Sequence, residues 1–174
     1  MSISPTTDTP RATLVLALGN PLMGDDGLGA AVLARLREAW EWASDVELVD
    51  GETWGLRLLP LVEDAGRLLL IDAIDVGAAP GTMVSLEGPE LPRVLRGKTS
   101  SHEVDLGDVL ALAELRGAMP PTLRALGAQP ACVAFGAPLS EALAGIVSPL
   151  AEAARLQLAD WGHAARAREA RVRA

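Results

Sequence analysis

The sequence has few residues of several types, and each shortage excludes a class of protein. One residue of 174 is cysteine, Cys132, so no disulfide can form within the chain and paired-cysteine metal sites are excluded. Tyrosine is absent and phenylalanine occurs once, so aliphatic side chains must fill the core. Basic residues number 15 against 23 acidic ones, which gives a net charge of −8. Nucleic acids and anionic membranes are therefore disfavoured as partners.

Long apolar runs are also missing. No uncharged run approaches the ~18 residues of a membrane span, and residues 1–10 lack the basic residues of a signal peptide. The apolar content of 49% is nevertheless enough for a full core without disulfides or metals. We therefore predict a soluble, cytoplasmic protein with a single domain over residues 1–174. Its core is expected at about 12–160, after a loose leader over 1–11 and before an Ala/Arg-rich tail over 162–174.

Short apolar runs alternate with helical patterns along the chain. Five runs predict strands, at residues 12–18, 46–49, 67–72, 82–86 and 122–127. Apolar residues at helical spacing predict four helices, at residues 28–42, 54–62, 100–116 and 139–158. This alternation is typical of an α/β sandwich with a largely parallel sheet. Ligands bind at the carboxyl ends of such strands, so chemistry is expected at residues 19–27, 50–55, 72–77 and 99–103.

Two acids, Asp25 and Asp26, stand just before the first predicted helix. We expect Asp25 to be the N-cap of that helix, since aspartate accepts hydrogen bonds from helix N–H groups. One cap explains one acid and leaves Asp26 for chemistry. No Gly-Lys-Ser/Thr follows the loop, and two carboxylates would repel a phosphate. The loop is therefore predicted to attract a metal ion.

Asp72 and His102 are the other candidate ligands. Asp72 ends an apolar strand, where it either forms a turn with its own backbone or belongs to a site. With Ser100 as N-cap, His102 falls in the first turn of a helix, where the dipole favours the neutral imidazole that can ligate a metal. The alternative is a structural or surface histidine, which is our interpretation of His163. One histidine with Asp26 and Asp72 suits nickel, zinc or iron alike and leaves positions open for substrate groups.

Five segments of the chain resemble, in order, the motifs of the hydrogenase maturation protease family. LALGNPLMGDDGLG (16–29) resembles the family's G-N-x-L-x-x-D-[DE]-G-x-G signature, and DGETWGLRLL (50–59) resembles its D-G-G-T-x-G-x-x-L-L segment. Three more matches follow, to a hydrophobic-D-A block ending in P-G-T, an S-x-H segment and a late G-x-x-P element, in LLLIDAIDVGAAPGT (68–82), SSHEVDLGDVLALAELRGAMP (100–120) and LGAQP (126–130).

The resemblance implies a fold, an activity and a site. The fold is a three-layer α/β/α sandwich around a five-stranded, mostly parallel, twisted sheet. The activity is that of an endopeptidase, grouped with the aspartic-type peptidases, that removes the C-terminal extension of a [NiFe]-hydrogenase large-subunit precursor after nickel insertion. The family's metal-contacting residues fall by motif on Asp26, Asp72 and His102. The nickel is carried by the substrate, and another divalent metal is able to occupy the site in the free protein.

Two versions of the cutting step are consistent with this site. Either the metal activates water or polarises the carbonyl, or Asp26 or Asp72 acts as a general base whose pKa a neighbouring acid raises. A non-catalytic nickel-binding maturation chaperone is the alternative function, because ligand residues serve both roles. A cysteine protease is disfavoured because Cys132, in PACVAF, is expected to be a buried, inert thiol.

Glu52 departs from the family pattern, which has glycine at this place in D-G-G-T. If the position needs a positive φ, glutamate costs about 1 kcal/mol or more. Otherwise the loop differs and Glu52 adds negative charge near the cleft. Nearby, Trp54 and Met23 are expected in the core, with a peptide groove as the alternative.

Overall fold

The computed structural model describes residues 12–52, 54–88, 91 and 106–168. The strands within these residues are β1 Thr13–Leu18, β2 Trp40–Glu41, β3 Val46–Glu52, β4 Arg67–Ala73, β5 Met83–Glu87, β6 Thr122–Ala128 and β7 Arg166–Ala167. The α-helices are α1 Leu28–Ala39, α2 Leu59–Asp64, α3 Leu106–Leu115, α4 Glu141–Ala144 and α5 Val147–Asp160. Short 3₁₀ turns, Gly24–Gly27 and Gly55–Leu58, precede α1 and α2.

The central sheet has five strands in the order β3-β1-β4-β6-β5. Strand β1 is parallel to β3 and β4, and β4 is parallel to β6, whereas β5 is antiparallel to β6. This confirms the predicted five-stranded, mostly parallel sheet. The register places Asp50 beside Ala17 and Asp72 beside Gly127. The strand ends that carry acids therefore meet at one edge, which we call the carboxyl edge.

Two hydrophobic cores flank the sheet, one on each face. Leu68 and Leu70 of β4 pack in the core covered by α2 and α3, whereas Leu69 and Ile71 pack in the core covered by α1 and α5. Because both faces are covered, β1 and β4 are nearly continuous runs of apolar residues. The alternation of side chains places Asp72 on the α2/α3 face. The predicted three layers are confirmed.

The first helix ends earlier than its apolar pattern predicts. Helix α1 ends at Ala39, not at residue 42, because Trp40 and Glu41 pair with Arg166 and Ala167 in a two-stranded antiparallel ribbon. The Arg168 backbone N–H donates to the Ala39 carbonyl at 2.9 Å. Within the predicted Ala/Arg-rich tail, residues 166–168 are therefore attached to the end of α1 and to the strand that follows it. The leader over 1–11 and residues 169–174 lie outside the described residues.

The remaining helices follow the sequence signals with one break. The Ser140 hydroxyl accepts from the Leu143 N–H and so caps α4, but the long final helix predicted over 139–158 is divided between α4 and α5 at Gly145. Gly117, with φ at 67°, follows the end of α3, close to the end predicted at residue 116. The predicted capping residue Ser100 lies outside the described residues.

None of the helices in the part of the chain that the structure describes is long and apolar enough to cross a membrane.

The start of α1 packs directly on the ends of β1 and β4, and this contact requires a glycine. A Cβ on Gly29 would lie 2.2 Å from the Leu18 carbonyl oxygen and 2.8 Å from that of Ile71. We predict that Gly29→Ala lowers the free energy of unfolding by at least about 2 kcal/mol, because overpacking against backbone exceeds the roughly 1 kcal/mol gained in helix propensity. Urea denaturation measures this change.

Ala30→Gly is the matched control on the next residue of the same helix. It should cost only the propensity difference of roughly 1 kcal/mol. A Gly29→Ala variant as stable as the wild type would show that α1 is able to move away from the sheet.

Candidate functional site

The loop after β1 folds back on itself and fixes the carboxylate of Asp26. Gly19 has φ at 105°, and a Cβ there would lie 1.9 Å from the Asp26 carbonyl oxygen, so only glycine fits. The Asn20 N–H donates to Asp26 Oδ2 at 2.7 Å. Within the described residues this is the one hydrogen bond to the Asp26 side chain. Its Oδ1 accepts no hydrogen bond from the described residues.

Asp26 and Asp72 lie at the carboxyl edge, Asp26 in the connection after β1 and Asp72 near the end of the adjacent strand β4. The 3₁₀ turn that contains Asp26 contacts β4, and Asp72 is the penultimate residue of that strand. Asp26 is half-buried, and Asp72 is buried with 8% of its surface exposed. The structure thus brings the two predicted acids to one region, as the strand order requires. Their catalytic and metal-binding roles stay predictions.

His102, the third predicted ligand, lies outside the described residues. The helix α3, which follows it in the chain, covers the same face of the sheet as the Asp72 side chain. In the ranges that the structure describes, no three His, Cys, Asp or Glu side chains are grouped closely enough to hold a metal ion. A three-ligand site at this edge would need a residue such as His102.

Asp25 does not cap α1, and that prediction is wrong. Its side chain is fully buried and points to a distant segment of the chain. Oδ2 accepts from the backbone N–H groups of Ala131 at 2.7 Å and Cys132 at 3.0 Å, and Oδ1 accepts from that of Ser140 at 2.7 Å. The Asp25 N–H donates in turn to the Cys132 carbonyl at 3.0 Å. The carboxylate therefore connects the loop after β1 to the loop after β6.

These contacts also set the charge of Asp25. Burial raises the pKa of its carboxyl group, but the hydrogen bonds from Ser140, Cys132 and Ala131 lower it further than burial raises it. The pKa therefore lies below its ordinary value of 3.8, and the side chain is an anion at neutral pH. With both oxygens already bonded, Asp25 is poorly suited to bind a metal or to accept a proton from water.

Two side chains expected in the core are exposed. Cys132 is exposed in the loop after β6, so the prediction of a buried thiol is wrong. Its backbone, not its side chain, bonds to Asp25. Trp54 is 41% exposed, with its Nε1 donating to Glu52 at 3.3 Å and the Arg57 guanidinium 5.8 Å from its ring centroid. Both residues lie in connections at the carboxyl edge, which the sheet cannot cover.

Glu52 has the positive φ that the family's glycine suggested. Its φ is 41°, and no other non-glycine residue among those described has a positive φ. The Glu52 N–H donates to Asp50 Oδ1 at 3.1 Å, and its carbonyl accepts from the Gly19 N–H at 3.2 Å. These two bonds fix the turn and join the end of β3 to the loop after β1.

Gln129 is a site-forming residue that the sequence analysis missed. It is 7% exposed, and its Oε1 accepts from the backbone N–H groups of Val76 at 2.8 Å and Ala78 at 3.1 Å. Its Nε2 donates to Asp75 Oδ1 at 2.9 Å. Gln129 thereby fixes the loop that follows Asp72. The available signal was a long polar side chain directly after a buried strand at the carboxyl edge.

Three sets of hydrogen bonds thus join the connections at the carboxyl edge. We call residues 19–27, 54–58, 74–82 and 129–140 the edge loops. Asp25 joins the first to the last, Gln129 joins the last to the third, and the Gly19–Glu52 bond joins the first to the end of β3, where the second begins. These hydrogen bonds hold the loops near the candidate site in fixed positions relative to one another.

Asp25→Asn should remove the central connection. An amide offers one acceptor and a donor that faces other N–H groups, so we expect the free energy of unfolding at pH 7 to fall by about 3 kcal/mol. The matched control is Asp26→Asn, which alters an acid with one hydrogen bond and should cost less than about 1.5 kcal/mol. Equal losses in the two variants in urea denaturation would contradict this assignment.

The same variant predicts a pH dependence. The folded-state pKa of Asp25 lies below the unfolded value, so its stabilising effect is complete above about 3.8 and is lost as the pH falls through the folded pKa. The stability difference between wild type and Asp25→Asn should be constant from pH 5 to 8 and should narrow below pH 4, at roughly the ordinary aspartate pKa. If the stability difference between the two proteins grew below pH 4, the folded-state pKa of Asp25 would lie above the unfolded value, contrary to this prediction.

Glu52→Gly should stabilise the protein. Glycine adopts a left-handed φ without the Cβ strain, so we expect a gain of about 0.5–1 kcal/mol in urea denaturation. Glu47→Gly is the control, an exposed residue in the same strand with ordinary backbone, and should cost roughly 0.5–1 kcal/mol. Destabilisation of similar size in both variants would show that Glu52 is unstrained.

Comparisons with known proteins agree with this architecture. The family model described as "HycI: Hydrogenase maturation protease" matches residues 30–156. The hydrogenase expression/formation protein HupD of Rhodobacter capsulatus is 38% identical over 156 residues, covering 88% of this chain and 74% of that protein. The hydrogenase 2 maturation protease of Escherichia coli K12 is 32% identical over 158 residues, covering 90% of this chain and 96% of that protein.

A solved structure extends the likeness to the fold. The hydrogenase maturating endopeptidase HybD from E. coli superposes with a TM-score of 0.85 at 30% identity, covering 90% of this chain and 98% of that one. An Escherichia coli endopeptidase solved in solution gives a TM-score of 0.84 at 29% identity, with 90% and 97% covered. Sequence and fold agree over nearly the same length. The chain belongs to the hydrogenase maturation protease family.

Proposed function

We propose that this protein is the endopeptidase that removes the C-terminal extension of a [NiFe]-hydrogenase large-subunit precursor, and that it recognises the nickel already bound in the precursor. The observation that carries the proposal is the placement of Asp26 and Asp72 at one edge of the sheet, where the turn that contains Asp26 contacts the strand that contains Asp72. Membership of a family of proteases supplies the reaction class. A cytoplasmic location is part of the proposal.

The contacts of the two neighbouring acids favour Asp26 over Asp25 as the nickel ligand. Both oxygens of Asp25 are bonded to backbone N–H groups, whereas Asn20 bonds to one oxygen of Asp26 and fixes its orientation. In the proposal, Asp26, Asp72 and His102 complete the coordination of nickel in the precursor. Two carboxylates and an imidazole suit a borderline divalent ion. A precursor without nickel would lack this binding energy, and that difference gives the specificity.

The same contacts limit the cutting step to two versions. Asp25 is unsuitable as a base because its pKa is lowered and both its oxygens are bonded. Either Asp26 or Asp72 removes a proton from the attacking water, which would justify an aspartic-type grouping, or nickel in the substrate polarises the carbonyl. In both versions the acids place the scissile peptide beside the edge loops.

The test is the mass of an intact large-subunit precursor after incubation with the protein, with and without nickel in the precursor. We expect a C-terminal peptide to be lost only from the nickel-loaded form. Asp26→Asn, Asp72→Asn and His102→Ala should each lower the cleavage rate by about 100-fold or more. Asp160→Asn, an exposed acid at the end of α5, is the matched control and should cleave at the wild-type rate.

Other outcomes would each remove one part of the proposal. Equal cleavage of both forms of the precursor would contradict nickel recognition but would support the endopeptidase activity. Nickel-dependent binding without any loss of mass would instead identify a maturation chaperone. Wild-type rates in all three site variants would place the active site elsewhere.

A further inference from the structure

Exposed apolar side chains are concentrated on the edge loops. In the described part of the chain nine large hydrophobic side chains are exposed, and six of them lie in these loops. We call these six the apolar rim, and they are Leu22, Trp54, Leu56, Val76, Val133 and Phe135. Phe135 is the chain's one phenylalanine and is 80% exposed. Both exposed aromatic side chains among the described residues, Trp54 and Phe135, are therefore in the rim.

The rim belongs to ordered backbone. The Gly136 N–H donates to the Leu22 carbonyl at 2.8 Å, which brings the loop of Phe135 against the loop after β1. A Cβ on Gly24 would lie 2.8 Å from the Cys132 carbonyl oxygen, so these two loops are in close backbone contact. The Val76 N–H donates to Gln129 Oε1 at 2.8 Å. Apolar groups on such a frame lose little conformational entropy when a partner covers them.

We propose that the apolar rim is the docking surface for an apolar region of the large-subunit precursor, and that it contributes affinity independently of nickel. This inference rests on the proposed function, which sets the precursor as the polypeptide that must reach Asp26 and Asp72. The rim residues lie in connections at the same edge of the sheet as those acids, so a substrate peptide that reaches the acids passes close to the rim. Exposed apolar surface beside a site is typical of protein interfaces.

The charges near the rim define the partner further. Among the described residues, Glu52 accepts a hydrogen bond from Trp54, Asp75 directly precedes Val76, and Arg57 lies 5.8 Å from the Trp54 ring centroid. The whole chain has a net charge of −8. The partner surface is therefore apolar at its centre and basic at its margin, and raised salt should slow its association. Phe135 is the candidate hot spot, since aromatic side chains carry much of the energy of interfaces.

Phe135→Ser tests the docking surface against a matched control. We expect the variant to raise both the KM for nickel-loaded precursor and the Kd for metal-free precursor, measured by calorimetry, by at least about tenfold. The kcat should stay within twofold, because the lost contacts bind substrate and transition state alike. Leu115→Ser, in an apolar residue 84% exposed at the end of α3, should leave all three constants unchanged.

Several results would contradict the proposal that the apolar rim is a docking surface. Kd and KM for Phe135→Ser that match those for Leu115→Ser would do so, as would a fall in kcat with an unchanged KM. A change in self-association, seen by sedimentation, with an unchanged Kd would assign the rim to a second copy of the chain. If the wild type binds the precursor but does not cleave it, the proposed function fails while Kd still tests the rim. Circular dichroism checks that both variants are folded.

Discussion

The carboxylate of Asp25 is the interaction on which the carboxyl edge depends. A charge without solvent contact is expensive to bury, and here three backbone N–H groups from the far end of the sequence offset that cost. Those donors would otherwise be unpaired in loops that no strand can satisfy. One side chain thus completes two loops at once. The orientation of its neighbour, Asp26, follows from the loop that Asp25 secures.

The parallel sheet explains why the candidate site residues lie at this edge. Parallel strands require long connections, so each strand end at this edge opens into a loop or a helix start. Gly29 lets α1 approach the ends of β1 and β4, and the approach brings the Asp26 turn to β4. Gln129 performs for the loop after β4 what Asp25 performs for the loop after β1. The loops at this edge are therefore held by two buried polar side chains, the amide of Gln129 and the carboxylate of Asp25.

The sequence predicts the periodic part of the structure well and the long-range contacts poorly. Strands β1 and β4 can be predicted from the sequence because a strand covered on both faces is a continuous apolar run. Asp25 and Asp26 are equivalent as a local pattern, and only contacts to residues more than 100 positions away separate a structural acid from a candidate ligand. Gln129 was missed for the same reason. The glycine in the family pattern correctly predicted the positive φ of Glu52. The exposure of Trp54 was not predicted, because it depends on which surfaces the loops leave uncovered.

The short ribbon of β2 and β7 has a consequence for self-processing. His163 bonds to Thr13 at 2.8 Å and lies 3.3 Å from Asp45, residues that precede or begin strands at the amino edge of the sheet. With Arg166 and Ala167 paired to β2, the stretch from 163 to 168 is attached at the opposite end of β1 from Asp26. A strand of six residues spans about 20 Å. In this member of a protease family, residues 163–168 are thus held at the end of the sheet opposite the candidate acids.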